Sequence, residues 1–332
     1  MSTMREMTIS APAADQALRH GAAFLIRPDA GVLCLTGADR ADFLHRMTTN
    51  EINRLAVGQA TVTVLTSPTA RILQVFTVMA RAEELWLLPA PGATRALAQQ
   101  LRGQIFFMDQ VKVADRSEEV RRMRVMGPKA AQALGEAGLA VADLADSAWQ
   151  ESTVTHEGTN LTVTVLTQMR YGVPGYELLI PVATFDVLQA LLQGAGIVAI
   201  DADTYENRRI ELGRPAPGHE LTEEFNPLEA GIGWTCADNK GCYTGQEIIA
   251  RQITYDKVTK TLVGLQSERP LTVGTELQAD GRTVGVVTSS GMSPQLAAPV
   301  ALAIVRRPYH EAGTSLQGDT QIATVVALPF VE

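Results

Sequence analysis

The stretch Asn239-Lys240-Gly241-Cys242-Tyr243-Thr244-Gly245-Gln246-Glu247-Ile248-Ile249-Ala250-Arg251 constrains this chain more than any other. Its glycines let the backbone turn tightly before the helical run that follows. Thr244 and Glu247 stand in the Ser/Thr-x-x-Glu relation of a capping box, which predicts Thr244 as the N-cap. On that reading Lys240 and Cys242 lie just ahead of the positive end of a helix, where unpaired N–H groups favour anions. A cysteine so placed, close to a lysine, is expected to have more thiolate character than a free thiol. The same spacing also suits a loop whose cysteine only packs.

At 332 residues, 46% hydrophobic and 19% charged, the chain falls in the soluble globular class with room for two or three domains. A net charge of −8 argues against general nucleic-acid binding but leaves room for a local basic pocket. Three cysteines, Cys34, Cys236 and Cys242, make no disulfide framework and suit a reducing compartment. No apolar run approaches the roughly 18 residues that cross a bilayer, so no membrane partner is expected. Met1 to Gln16 lack a basic segment followed by an apolar core, so no signal peptide is expected and a cytoplasmic location is. Cys236 and Cys242 have no third cysteine nearby and the five histidines are scattered, so no resident metal is expected.

Periodicity places strands at Val32–Thr36, Thr61–Thr66, Ile72–Met79 and Leu85–Leu88, with helices after Asp39 and over Thr94–Arg102. The pattern restarts near Arg121. A strand Arg122–Met126, a helix Lys129–Leu134, a turn at His156-Glu157-Gly158-Thr159, strands Leu161–Thr167 and Tyr176–Ile180, and a helix Phe185–Leu192 resemble a ferredoxin-like unit. Asp203 and Glu206 form a second capping-box pair for a helix that ends at Gly213. After Lys257 short extended runs with turns, including Asp280-Gly281, predict a small all-β domain. The boundaries expected are 20–118, 119–200, 201–256 and 257–332, in an α+β protein.

Lys-Gly-Cys-Tyr-Thr-Gly-Gln-Glu-x-x-x-Arg resembles the signature of the YgfZ-type folate-binding proteins, relatives of the T-protein (aminomethyltransferase) of the glycine cleavage system. Phe43 to Asn50, Arg209 to Gly213, Asn226 to Gly231 and Val287 to Pro294 resemble segments of the same superfamily. The resemblance implies an aminomethyltransferase-like fold of three domains around a central opening, with a small C-terminal β-barrel. It implies tetrahydrofolate or a one-carbon derivative as ligand, and iron–sulfur client proteins as partners. Cys242 and Lys240 become the candidate reactive pair, and Glu177, Asn50, Tyr176, Arg209, Tyr243, Gln246 and Arg251 the candidate folate contacts. Glu177 matches the pterin-binding glutamate of the aminomethyltransferases, and a carboxylate can accept two parallel N–H bonds from such a ring.

Two departures from the aminomethyltransferase pattern stand out. Tyr205 replaces an arginine, and the segment Arg81–Trp86 offers Glu83 and Glu84 where those enzymes carry an aspartate. The leading expectation is therefore a folate-binding accessory factor for assembly or repair of iron–sulfur proteins. The alternative is a folate-dependent aminomethyltransferase or demethylase, and a third reading is a folate-sensing interaction protein without chemistry of its own.

Overall fold

Where apolar and polar residues alternate with period two, one face of a strand can be buried, and that rule lays out most of this chain. The computed structural model describes residues 11–141, 143–156 and 158–331. In chain order it has helix α1 (Ala11–His20), strands β1 (Ala23–Ile26) and β2 (Leu33–Thr36) and helix α2 (Arg40–Met47). Strands β3 (Ala60–Thr66), β4 (Ile72–Ala80) and β5 (Glu84–Pro89) follow, then helix α3 (Thr94–Arg102) and strands β6 (Lys112–Asp115) and β7 (Val120–Met126). Next come helix α4 (Ala130–Glu136), strands β8 (Trp149–His156), β9 (Thr159–Gln168) and β10 (Gly175–Pro181), and helix α5 (Phe185–Gly194). The short strand β11 (Val198–Ala199) precedes helices α6 (Ala202–Glu211) and α7 (Gln246–Thr254). Strands β12 (Lys260–Ser267), β13 (Glu276–Ala279), β14 (Arg282–Ser293), β15 (Ala298–Arg306), β16 (Ser315–Gly318) and β17 (Gln321–Val326) complete the fold.

Two compact units share these elements. One holds residues 11–28, 120–170 and 174–205 and the other 29–119, 171–173 and 206–331. The first is a six-stranded sheet in the order β11-β1-β7-β10-β9-β8. β1 runs parallel to β11, and the other neighbours are antiparallel. Met123 and Val125 of β7, Leu178 and Ile180 of β10, and Val163 and Val165 of β9 pack with Ala133 and Leu134 of α4 and Leu188 and Leu192 of α5. The residues that alternate with them along the strands, Arg122, Arg124 and Glu177 included, therefore lie on the opposite sheet face.

The second unit contains an antiparallel sheet in the order β3-β4-β5-β2-β6, cored by Leu33, Leu35, Phe76, Val78 and Leu87 with Phe43 and Leu44 of α2 and Leu97 and Leu101 of α3. It also contains the expected barrel, closed in the order β12-β15-β14-β13-β16-β17. Leu265, Leu277, Ala303, Val305 and Val325 fill its interior. Asp280 and Gly281, at φ 51 and 70, make the two-residue turn that joins β13 to β14 as their sequence predicts. Among the described residues no helix is long and apolar enough to cross a membrane.

Several local expectations need correction. Helix α1 and strand β1 precede the first element read from sequence, because Ala11–His20 is rich in small residues and buries only Ala14 and Leu18. Thr244 does not cap α7. Gly245 takes the N-cap position at φ 83, and no side chain bonds there. A Cβ on Gly245 would stand 2.8 Å from the Ser67 carbonyl oxygen, so the close approach of the β3–β4 connection selects glycine. Thr244 instead contributes its carbonyl, which accepts the Thr66 hydroxyl at 2.5 Å. Nor does Asp203 cap α6: Asp201 Oδ1 accepts the Thr204 N–H at 2.8 Å. Glu157 of the expected turn, and Met1 to Ser10, lie outside the described residues.

Candidate functional site

Strand β10 decides the fate of two candidate residues at once. Tyr176 and Glu177 are adjacent, so the pleat sends them to opposite faces. Tyr176 is buried in the apolar cluster with the α4 and α5 side chains, away from Glu177, and burial pushes its phenol up. Glu177 is only 1% exposed and faces Arg124, its partner across the β7–β10 ladder. Arg122 Nε donates to Glu177 Oε1 at 2.7 Å, whereas Arg124 Nη1 stands 3.4 Å from Oε2. Arg124 also donates to Gln168, to Oε1 at 2.5 Å and to the carbonyl at 3.0 Å.

Burial alone pushes the Glu177 carboxyl up, but the charges of Arg122, Arg27 and Arg124 outweigh it and hold the group below the usual carboxylate range. It is thus an ionised, buried acceptor. A carboxylate offers about four lone-pair sites, and among the described residues two guanidinium contacts reach this one, the second of them long. Arg27 lies over the ring of Tyr205, 4.9 Å from its centroid, the residue that replaces the family arginine. The sequence signal for the two arginines is their period-two recurrence, Arg122 and Arg124, in a strand that also carries Arg121.

The opening stretch has a different chemistry. Lys240 is buried, and its ammonium donates to three backbone carbonyls, of His45 at 2.7 Å, Thr48 at 2.5 Å and Asn50 at 2.8 Å. These oxygens lie at and just beyond the C-terminus of α2, where carbonyls lack helical partners and the dipole favours a cation. All three N–H groups are engaged, so Lys240 serves as a cap. Burial lowers its pKa to about 8. Its Nζ also sits 4.9 Å from the centre of the Tyr243 ring, and Tyr243 packs with Ala70, Cys236 and Ile249. Cys242 is exposed, four positions before the first residue of α7. The helix start therefore lies farther from it than the expected cap implied.

The remaining candidates are placed as follows. Asn50 gives its amide to Thr61 Oγ1 and the Val62 carbonyl, and its Oδ1 accepts the Glu51 N–H, so its side chain shapes the loop after α2. Gln246, half-buried, is the first residue of α7, and Arg251 pairs at the surface with Glu247 at 2.6 Å. Arg209 is fully committed inside the second unit, to Glu206 at 2.7 Å, Glu220 at 3.1 Å and Ser289 at 2.8 Å. Lys240, Asn50 and Tyr243 are thus brought together, while Arg251 remains a surface charge.

Glu220 had no sequence signal beyond its loop position. It is completely buried and accepts from Arg209, the Ala216 N–H at 3.0 Å, Thr288 at 2.6 Å and Ser289 at 2.6 Å. Beside it His219 Nδ1 lies 3.1 Å from the Thr288 carbonyl. Glu84, from the segment that lacks the family aspartate, is also occupied. It accepts Cys34 Sγ at 2.9 Å and Trp86 Nε1 at 2.7 Å. Burial and this carboxylate push the Cys34 thiol up to about 12, and burial pushes Cys236 up to about 11.

An α+β chain ending in a closed six-stranded barrel is the architecture that the resemblance of the opening motif implies. Residues 5–240 match the family described as the GCVT N-terminal domain, and residues 260–332 match the glycine cleavage T-protein C-terminal barrel domain. The chain belongs to the glycine cleavage T-protein family. It is 31% identical over 91% of its length, and 69% of the relative, to an Arabidopsis thaliana protein named as a candidate chloroplastic transferase. It is 28% identical to an aminomethyltransferase of Mycolicibacterium paratuberculosis, over 91% of this chain and 83% of that one. The aminomethyltransferase T of the Bartonella henselae glycine cleavage system has the same fold, with a TM-score of 0.87 at 22% identity over 98% of this chain and 90% of that one.

Proposed function

We propose that this protein binds a reduced folate through Glu177 and uses it in one-carbon group transfer of the aminomethyltransferase kind. The observation that carries the reading is the uneven supply of Glu177, whose Oε1 has a short guanidinium bond while Oε2 has one at 3.4 Å. An ionised carboxylate with acceptor capacity to spare suits the adjacent amino and ring N–H groups of a pterin. A reduced folate supplies, when bound, the nitrogens that carry a one-carbon group. Arg122 keeps the acceptor charged and oriented, and Tyr176 behind the sheet fixes the strand that presents it. The names of the relatives, aminomethyltransferases and a candidate transferase, agree with this reading.

Calorimetric titration with tetrahydrofolate tests it. The parent is expected to bind, and Glu177→Gln to lose about 1.5–3 kcal/mol, the range for a hydrogen bond to a charged group. A parent that binds no folate overturns the proposal. Supplying the protein to a glycine cleavage system that lacks only its aminomethyltransferase tests the reaction class, with turnover as the expected result.

A second reading, support of iron–sulfur proteins in the YgfZ manner, is favoured by Cys242. It is the exposed member of the three cysteines, on the stretch that resembles that signature. It predicts that Cys242→Ala lowers the activity of iron–sulfur enzymes in cells while leaving folate binding unchanged. Normal activity of those enzymes in the variant removes this reading.

A further inference from the structure

Between α3 and β6 the chain displays three large apolar side chains in succession. Phe106, Phe107 and Met108 are 65%, 98% and 75% exposed. The turn that carries them is firmly built. Asp109 Oδ2 accepts the Phe106 N–H at 2.9 Å, the Asp109 N–H returns to the Phe106 carbonyl at 3.0 Å, and Arg46 Nη2 donates to Asp109 Oδ1 at 2.8 Å. Behind the tip Ile105 packs on the core of the five-stranded sheet. An apolar tip on so fixed a support gives up little conformational freedom when it is covered.

We propose that the Phe106–Met108 turn is a docking knob for a partner protein that offers an apolar pocket rimmed by carboxylates. The charge around the turn argues for the rim. No acidic residue occurs between Glu84 and Asp109, in a chain whose net charge is −8. Exposed Arg102 and Lys112 bracket the turn at its two stems. Nearby carboxylates are already engaged: Asp42 and Asp109 by Arg46, and Asp39 by the Gln110 N–H.

The size of the knob argues against two other occupants. Its exposed fractions correspond to roughly 500 Å² of side-chain surface, at the 150–250 Å² that a large aromatic can bury. Doubled by self-pairing this is about 1,000 Å², short of the roughly 1,200–2,000 Å² of a stable interface, so a second copy is a poor fit. Adsorption to an anionic bilayer typically draws on about four to eight clustered basic residues, against Arg102 and Lys112 here. A brief encounter with a complementary pocket needs neither. This docking role is independent of the folate reading.

The test places a photocrosslinker at the tip of the full-length protein, Phe107→p-benzoylphenylalanine, in cells of its source. The expected product is a discrete protein adduct whose crosslinked peptide combines apolar residues with Asp or Glu on either side. Arg102→Glu with Lys112→Glu is expected to reduce that adduct about tenfold, the effect of some 1.4 kcal/mol. Failure of the charge reversal to reduce it, an adduct with a second copy, or no adduct beyond that from Gln104→p-benzoylphenylalanine overturns the proposal. So does sedimentation of the purified protein with phosphatidylserine vesicles that is lost in Phe107→Asp. Folate titration of Phe107→Asp is expected to match the parent, so failure here is distinguishable from failure of the folate reading.

Discussion

Two buried glutamates face arginines in this molecule, one in each unit, and their surroundings differ. Glu220 accepts four bonds of 2.6–3.1 Å, from a guanidinium, a backbone N–H and two hydroxyls. Glu177 accepts one bond of 2.7 Å and one of 3.4 Å. Both are charged groups removed from water, and such groups persist only where partners offset the desolvation. The saturated carboxylate joins the loop after α6 to a barrel strand. The unsaturated one retains capacity for a visitor. Burial and an arginine neighbour are common to both carboxylates, so on the proposed reading it is the smaller count of short donors that sets Glu177 apart as the binding acid.

The comparison is tested most severely by Glu220→Gln. Removing that charge leaves Arg209 buried beside its neighbours, and the expected loss is about 3–5 kcal/mol of unfolding free energy in urea titrations. Glu177→Gln also leaves buried arginines, Arg122 and Arg124, beside a neutral group and is expected to cost stability, but it is the one of the two expected to lose the folate affinity given above. Folate affinity unchanged in Glu177→Gln would break the distinction.

Acid sharpens it further. The folded Glu177 carboxyl titrates below its ordinary 4.5. Its contribution to stability is therefore fully present above about 4.5 and lost as pH falls through the lower folded value. The stability gap between parent and Glu177→Gln is expected to shrink over that interval in acid-unfolding curves.

Lys240 is a third kind of buried charge, whose three hydrogen bonds go to backbone carbonyls. Lys240→Met is expected to cost about 1–3 kcal/mol at neutral pH, from carbonyls left without a donor. With a folded pKa of about 8 against 10.5, the unfolded chain holds the proton more tightly between those values. The lysine's contribution therefore becomes more favourable as pH rises from 8 to 10.5, and the gap to Lys240→Met should widen there. The smallest effect on stability belongs to Cys242→Ala, at an exposed position. Alkylation followed by mass spectrometry should find Cys242 fastest and Cys34 slowest at neutral pH, and equal rates would end the case for a reactive thiol.

Much of the fold was legible because period and turn chemistry are local. Strands β3, β4 and β5, helix α3 and the Asp280-Gly281 turn lie within a residue or two of where their sequences place them. The caps were not legible, because distant contacts decided them. Thr244 has the right spacing from Glu247, yet the β3–β4 connection demands a glycine at the next position and takes the Thr244 carbonyl for Thr66. At the site, Glu177 could be singled out by resemblance, but its alternation with Tyr176 was a local fact that the resemblance obscured. By resemblance Lys240 is half of a candidate reactive pair with Cys242. That its charge is spent on carbonyls nearly two hundred residues away depends on tertiary structure alone.

That span has a consequence for how the protein is made. Helix α2 emerges early from the ribosome, but the ammonium that closes its end lies 195 residues downstream of His45. At translation speeds of about 5–20 residues per second, the wait is roughly ten to forty seconds. Throughout it the carbonyls of His45, Thr48 and Asn50 have only water or a chaperone to bond. The sheet that carries α2 is thus completed in outline long before it is sealed, and a nascent chain stalled ahead of Lys240 should remain open to proteolysis at this loop.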